Sequence, residues 1–477
     1  DGLITSTLLL NMIRQCLRLR TLSFGGHKDL NAIIRISISK KLSRLRSYAT
    51  ICSKNGLSRN DKIVELENRE NVSHKLQRRW CNDSSFSSLT TSFQSFSSLG
   101  IFDSLVSHHL ESLLPLPEVA IALKNEATSE SIENLLRAVK IFETMGGPLH
   151  VAVLGLLADS YHHLGMYDEA ITTLAKLRKS IGTEAAAVED CIEFATVKSM
   201  FFKGDFDGAL DRILALLEVP KIKTSPLSRT IIMNTQGIIK LVSLDTEDTT
   251  EEQLNRVIEI LQEGANHLKD VDSGAASAAF NNLGVAIRFS KSVLLQSSDG
   301  NLAMDKFHTA LEKAESSQQD QNSLLKGTIY SNMAQTLLDD QEIDDSSLKK
   351  ASKYAKESML IYQQGSSSSG ISEPERKVGF GRALSLVAAC YEKADSAILA
   401  EGLYQTSIEN FSDRHPLSKI SHAGILNYYA KLCKKWDKRE ADAASLEKNS
   451  SDVISSLPQN WRNKNPIIGG LLVPNKI

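Results

Sequence analysis

The 477-residue chain lacks an apolar run of the roughly 20 residues that a membrane-spanning helix requires. Proline is scarce, 10 in all, so little interrupts long helices. The six cysteines, Cys16, Cys52, Cys81, Cys191, Cys390 and Cys433, are scattered, and no two stand at the two-residue spacing of a zinc or redox motif. Sparse single thiols fit a reducing compartment and read as small buried hydrophobes. The chain has no phosphate loop, no glycine-rich turn after a strand and no nucleophile elbow. Asp159, His162 and His163 lie close together, but a metal site needs three or four ligands fixed by tertiary structure, and no further ligand cluster lies nearby. They read as a solvated helix face. These absences argue against an enzyme and against a bound metal or cofactor.

Acidic residues are nearly missing from the first sixty positions. That stretch carries eleven Lys/Arg against two acids, a surplus of +9. A net charge of −2 leaves −11 for the rest. From Met12, a candidate start, the text is rich in Arg, Ser and Leu, and Ile33–Leu45 suits a basic amphipathic helix. This is the composition of a mitochondrial transit peptide. Arg46-Ser47-Tyr48-Ala49 resembles the matrix-peptidase processing pattern, so residues 1–50 are expected to be an address. The expected location is the matrix or the matrix side of the inner membrane. Residues 51–99 are polar and then Ser/Phe-rich, a composition that buries too little apolar surface to repay chain entropy, and read as a disordered linker.

What is abundant is a repeated helix pair, expected over 100–456. A first helix is expected at 101–114, and SIENLLRAVKIFETMGG supplies a second. In PLHVAVLGLLADSYHHLGMYDEAITTLAKLRKSIG (148–182), Leu154, Leu157 and Tyr161 recur at helical spacing. Small Ala158 follows, Gly165 ends the helix, and Ala170, Leu174 and Leu177 face inward from a second helix opened by Tyr167. Ala158 and Ala170 allow close backbone approach. This order of residue types resembles the tetratricopeptide (TPR) repeat. Six further pairs follow. The small residue of each first helix falls at 158, 197, 237, 284, 334, 388 and 430. The steps run from 39 to 54, longer than the family's period of about 34, so helices are elongated or loops inserted. The resemblance implies an all-α fold, a right-handed superhelical array of antiparallel helix pairs in seven to eight units. The tail, residues 457–477, has no helical period. Its apolar run Ile467–Val473 reads either as a cap on the last helices or as a partner-binding peptide.

The resemblance also implies a concave groove lined by first-helix positions facing away from the paired helix. These are Asp159, His162, Lys198, Asn234, Asn281, Arg288, Gln335 and Arg382. Asn and Gln carry both donors and acceptors and so suit an extended peptide backbone. Gly155 and Asp159 stand where chaperone-adaptor domains place Lys and Asn, so a carboxylate-clamp adaptor is not expected. The expected function is a non-enzymatic scaffold or assembly factor that holds a protein or peptide partner. The alternative is a pentatricopeptide-like RNA binder. Nucleic acid is not expected, because the body's −11 charge opposes phosphate contact and the repeat steps are irregular.

Overall fold

The computed structural model describes residues 128–473, apart from short inter-helix segments. The expected address, the linker and the helix at 101–114 lie outside the described residues. The described residues all fall within one compact unit, 77–477. They form sixteen α-helices and no strand: α1 (Ser129–Glu143), α2 (Gly147–His163), α3 (Tyr167–Ile181), α4 (Glu189–Lys203), α5 (Phe206–Leu217), α6 (Pro220–Thr224), α7 (Pro226–Ser243), α8 (Glu251–Asn266), α9 (Gly274–Leu294), α10 (Gly300–Ser316), α11 (Ser323–Leu338), α12 (Asp345–Gln364), α13 (Glu373–Lys393), α14 (Ala397–Glu409), α15 (Pro416–Lys434) and α16 (Glu440–Ser455). Two 3₁₀ turns follow, Gln459–Trp461 and Pro466–Gly470.

From α2 onward the long helices pack as seven antiparallel pairs, each against the next, with α1 docked on α2 as a leading half-pair. This is the right-handed superhelical array implied by the sequence. The long repeat steps have both expected sources. Helices α9 and α13 run to 21 residues, and polar loops such as 339–344 separate partners.

Local chemistry sets the boundaries. Gly165 and Gly204 close their helices at φ of 76° and 92°, the left-handed region open to glycine. In the last two pairs the same turn is made by Asp395 (φ 54°) and Lys438 (φ 67°). Thr250 and Gln253 form a reciprocal capping box on α8. Pro220 opens the five-residue α6 from the N1 position.

Close approach between paired helices rests on the small residues. Ala158, Ala170, Ala334, Ala388 and Ala430 are fully buried. A Cβ on Gly284 would come within 2.7 Å of the Phe307 ring, so glycine there admits the ring. The proximity is used by a recurring hydrogen bond from a buried hydroxyl to the partner helix's backbone. Thr230 donates to Gly264 O, Ser277 to Ala310 O, Ser358 to Gly327 O, Ser407 to Gly381 O and Ser450 to Ala423 O, at 2.6–3.1 Å. Each satisfies a buried hydroxyl that would otherwise be costly.

One large apolar cluster runs from Tyr167 to Met333 and on to Leu417 and Ile420, and smaller ones gather residues from Val151 to Ala195 and from Ala388 to Ala443. The large cluster takes in Leu457, Trp461, Ile467, Ile468 and Leu471 of the tail. The tail therefore lies inside the array, where its second turn packs on α9, α11 and α15.

Candidate functional site

The first helices of the pairs form the inner wall, and the tail runs along it from α4 to α13 and α15. At the N-terminal end, α4 and the turn to α5 supply an aromatic box. Trp461, with no exposed surface, meets Phe201 edge-on at 5.0 Å and Phe206 edge-on at 5.4 Å, and lies nearly parallel to Phe202 at 6.4 Å. Its indole N–H donates to Phe201 O (3.3 Å), and Asn460 donates to Gly204 O (2.8 Å). Both carbonyls lie at the end of α4; that of Phe201 also accepts from Gly204 N–H at 2.9 Å. Lys464 does the same for α7. Its ammonium donates to Leu244 O (3.0 Å) and Ser243 O (3.4 Å), at the negative end of the helix dipole.

Further along, the wall reads tail backbone. Asn282 is bidentate on Leu472: its amide donates to Leu472 O (2.8 Å), and its carbonyl accepts from Leu472 N–H (2.8 Å). Asn281 and Asn332 both donate to Gly470 O, at 3.2 and 3.0 Å, and Arg382 donates to Gly469 O at 3.5 Å. These side chains also bond one another. Asn282 donates to Asn234, Asn332 to Asn281, and Arg382 to Asn332 and Gln335. The result is one amide network across α7, α9, α11 and α13, buried in its central members.

Of the eight expected groove residues, Asn234, Asn281, Gln335 and Arg382 belong to this network. Arg288 sits beside it. Its Nε is 2.5 Å from Asp339 Oδ2, while Nη1 and Nη2 are buried without a hydrogen-bond partner. Burial and the nearby Arg288 push the Arg382 guanidinium down to about 10.

Asp159, His162 and Lys198 form a separate cluster at the N-terminal end. The expectation of a solvated helix face fails for Asp159 and His162, which are 4% and 6% exposed. His415, from much later in the chain, packs on Phe202 at 5.7 Å beside this cluster. His162 Nδ1 is 3.0 Å from Ser199 Oγ, and its ring packs edge-on to Tyr167 and Phe202. Burial holds His162 well below the ordinary histidine range. Burial also lowers Lys198 to about 8, against the opposing pull of Asp159 and Glu375. Among the described residues no group of three or more His, Cys, Asp or Glu is placed to hold a metal ion, and no helix is long and apolar enough to cross a membrane.

The two asparagines with the most direct hold on the tail, Asn282 and Asn332, were not among the expected residues. The signal was present. Each stands two positions before the small residue of its first helix, Gly284 and Ala334, and no other pair has Asn in that register.

The tail leaves one part of the groove unfilled. A cleft of about 300 Å³ opens beside Pro466 between α11, α13 and α15. Gln335, Arg382, Ser385, Tyr404 and Tyr428 are in its wall.

No family model and no curated protein matches the sequence. Among solved structures, the chain is similar to a monomeric mutant of IFIT1 with Gppp-AAAA. That match has 15% identity and a TM-score of 0.32, over 76% of this chain and 85% of that one. A human IFIT1 dimer with PPP-AAAA matches at 14% identity and a TM-score of 0.27, over 79% and 94%.

Proposed function

We propose that the chain is a non-enzymatic interaction scaffold whose inner face holds an extended protein segment, and that it acts in mitochondria after removal of the basic head. The observation that supports this reading is the grip of Asn282 on both backbone groups of Leu472. A side-chain amide that donates to C=O and accepts from N–H of one residue matches a peptide backbone and has no counterpart on a phosphodiester. Several cations at the inner wall and on the tail already have partners within the chain. Arg288 meets Asp339, Arg382 meets Asn332 and Gln335, and Lys464 meets helix carbonyls. Together with the −11 body, this leaves little charge for nucleic acid.

The test places a photoreactive residue at Tyr428, half-exposed on the cleft rim, in the full chain within the organelle. Adducts mapping to one extended segment of a partner protein, and lost with Arg382→Ala, are expected. RNA adducts in place of protein would overturn the scaffold reading. A fluorescent fusion lacking residues 1–60 is expected in the cytosol; persistence in mitochondria would remove the address from the proposal.

A further inference from the structure

The inner face is already occupied, and its occupant describes its specificity. We propose that residues 457–473 stand in, within the same chain, for a partner segment of the same chemistry, which displaces them from the groove. This rests on the scaffold reading above and adds to it what the partner looks like and how access is governed.

The tail is held as a ligand is held. It makes two short 3₁₀ turns, and its anchors come from α4, α7, α9, α11 and α13, elements 87 to 260 residues away in sequence. The contacts divide into two kinds. Those to Gly469 O, Gly470 O and both backbone groups of Leu472 are blind to side chains. The rest select. The aromatic box takes Trp461, and the carbonyls at the end of α7 take Lys464, three residues later. Buried Ile467 and Ile468 follow. The next two positions favour glycine: a Cβ on Gly469 would require the Ser421 hydroxyl to turn away, and one on Gly470 would collide with Asn332 Oδ1 and crowd Arg382 Nη2. The groove therefore fits Trp, then Lys at +3, aliphatics at +6 and +7, and Gly-Gly at +8 and +9.

The cleft beside Pro466 supplies the entry. It borders the tail's second turn and is lined by Arg382, which donates to Gly469 O, and by Gln335, which accepts from Arg382. An incoming segment can settle there before the tail releases. Tethering sets the threshold, because a linked segment acts at an effective concentration on the order of millimolar. A free segment of equal intrinsic affinity is thereby strongly outcompeted. The tail's tether to α16 is three residues, 456–458, which favours occupancy within one chain over exchange between two copies.

The test uses the full chain and a fluorescein-labelled synthetic peptide of residues 457–473. Gly470→Val alters only the tail and drives it off Asn332. This variant is expected to bind the peptide at least tenfold more tightly than the unaltered chain. Adding Asn282→Ala should erase the gain, and a Gly470→Val peptide should bind neither protein. A folded Gly470→Val chain with no gain would overturn the proposal, as would its conversion to a dimer without peptide binding. Should that variant fail to fold, hydrogen exchange on the unaltered chain decides. The Leu472 amide is expected to exchange at least tenfold faster than the Ile238 amide inside α7, and equal rates would make the tail a fixed core element. Cross-linking at Tyr428 to a partner, with no peptide gain, would sink this inference and leave the scaffold reading standing.

Discussion

At its N-terminal end the inner wall buries groups that titrate, Asp159, His162 and Lys198, beside an aromatic box. At its C-terminal end it buries asparagines, which do not titrate. Both ends hold the same tail, but by different physics. The aromatic box holds Trp461 mainly through apolar area, which is non-directional and proportional to the surface removed from water. The amide network holds residues 469–472 through directional bonds, whose net worth is small but whose loss strands buried partners. The first end fixes the tail strongly and the second fixes its register. Large contact area can tolerate small displacements, whereas the bidentate Asn282 cannot.

That contrast can be broken in order of expected effect. Trp461→Ala empties the aromatic box and should cost about 3–5 kcal/mol, read as a lower unfolding midpoint in urea. A loss below about 1 kcal/mol would show that the box closes without the indole. Asn282→Ala removes both bonds to Leu472 and should cost about 1–3 kcal/mol, with faster exchange of amides in 469–473 and little change around Trp461. A uniform change along the tail would mean that the two ends are not separable.

Acid should separate them as well. Burial pushes the partly buried His415 down to about 4, and His415 also packs on Phe202 and caps α15 by accepting from Ser418 N–H at 3.2 Å. Near pH 7 the imidazole is neutral folded and unfolded. Below its ordinary value of about 6.5 the unfolded chain takes up a proton that the folded chain refuses, so stability falls as pH drops from 6.5 toward 4. About 1–2 kcal/mol should be lost by pH 5 from this residue. His415→Asn, which keeps a capping acceptor, should flatten the profile measured by thermal melts between pH 7 and 5. The asparagine end contributes nothing to that slope. The smallest effect lies outside both ends. Asp395→Gly relieves a left-handed backbone and should raise stability by up to about 1 kcal/mol, visible as a slightly higher Tm.

The sequence makes the helix pairs legible because their determinants are local. Gly165 and Gly204 occupy the turns, and Ala158, Val197, Gly237, Gly284, Ala334, Ala388 and Ala430 all prove buried. Half of the expected groove residues also fall into one network. What failed was solvation. Asp159 and His162 look exposed on a helical wheel, yet both are buried, His162 against Ser199, Tyr167 and Phe202 of the helices that follow. The tail's position was equally illegible, since nothing in LPQNWRNKNPIIGG records that its partners begin 260 residues earlier. Periodicity reports which face of a helix is apolar, and gives no account of what later arrives at that face.

The link between Trp461 and Phe201 also bears on synthesis. An array of nearest-neighbour pairs can fold progressively as it leaves the ribosome. Here the Gly204 carbonyl and the side chain of Asn282 wait for residues 460–472, which are made after all the helix pairs. Until then the box formed by Phe201, Phe202 and Phe206 stands open and apolar. The nascent array is therefore adhesive until residues 460–472 emerge, and their docking is the step that seals it. Truncation or stalled synthesis before Trp461 should yield a chain that associates, even though every helix pair among the described residues is present.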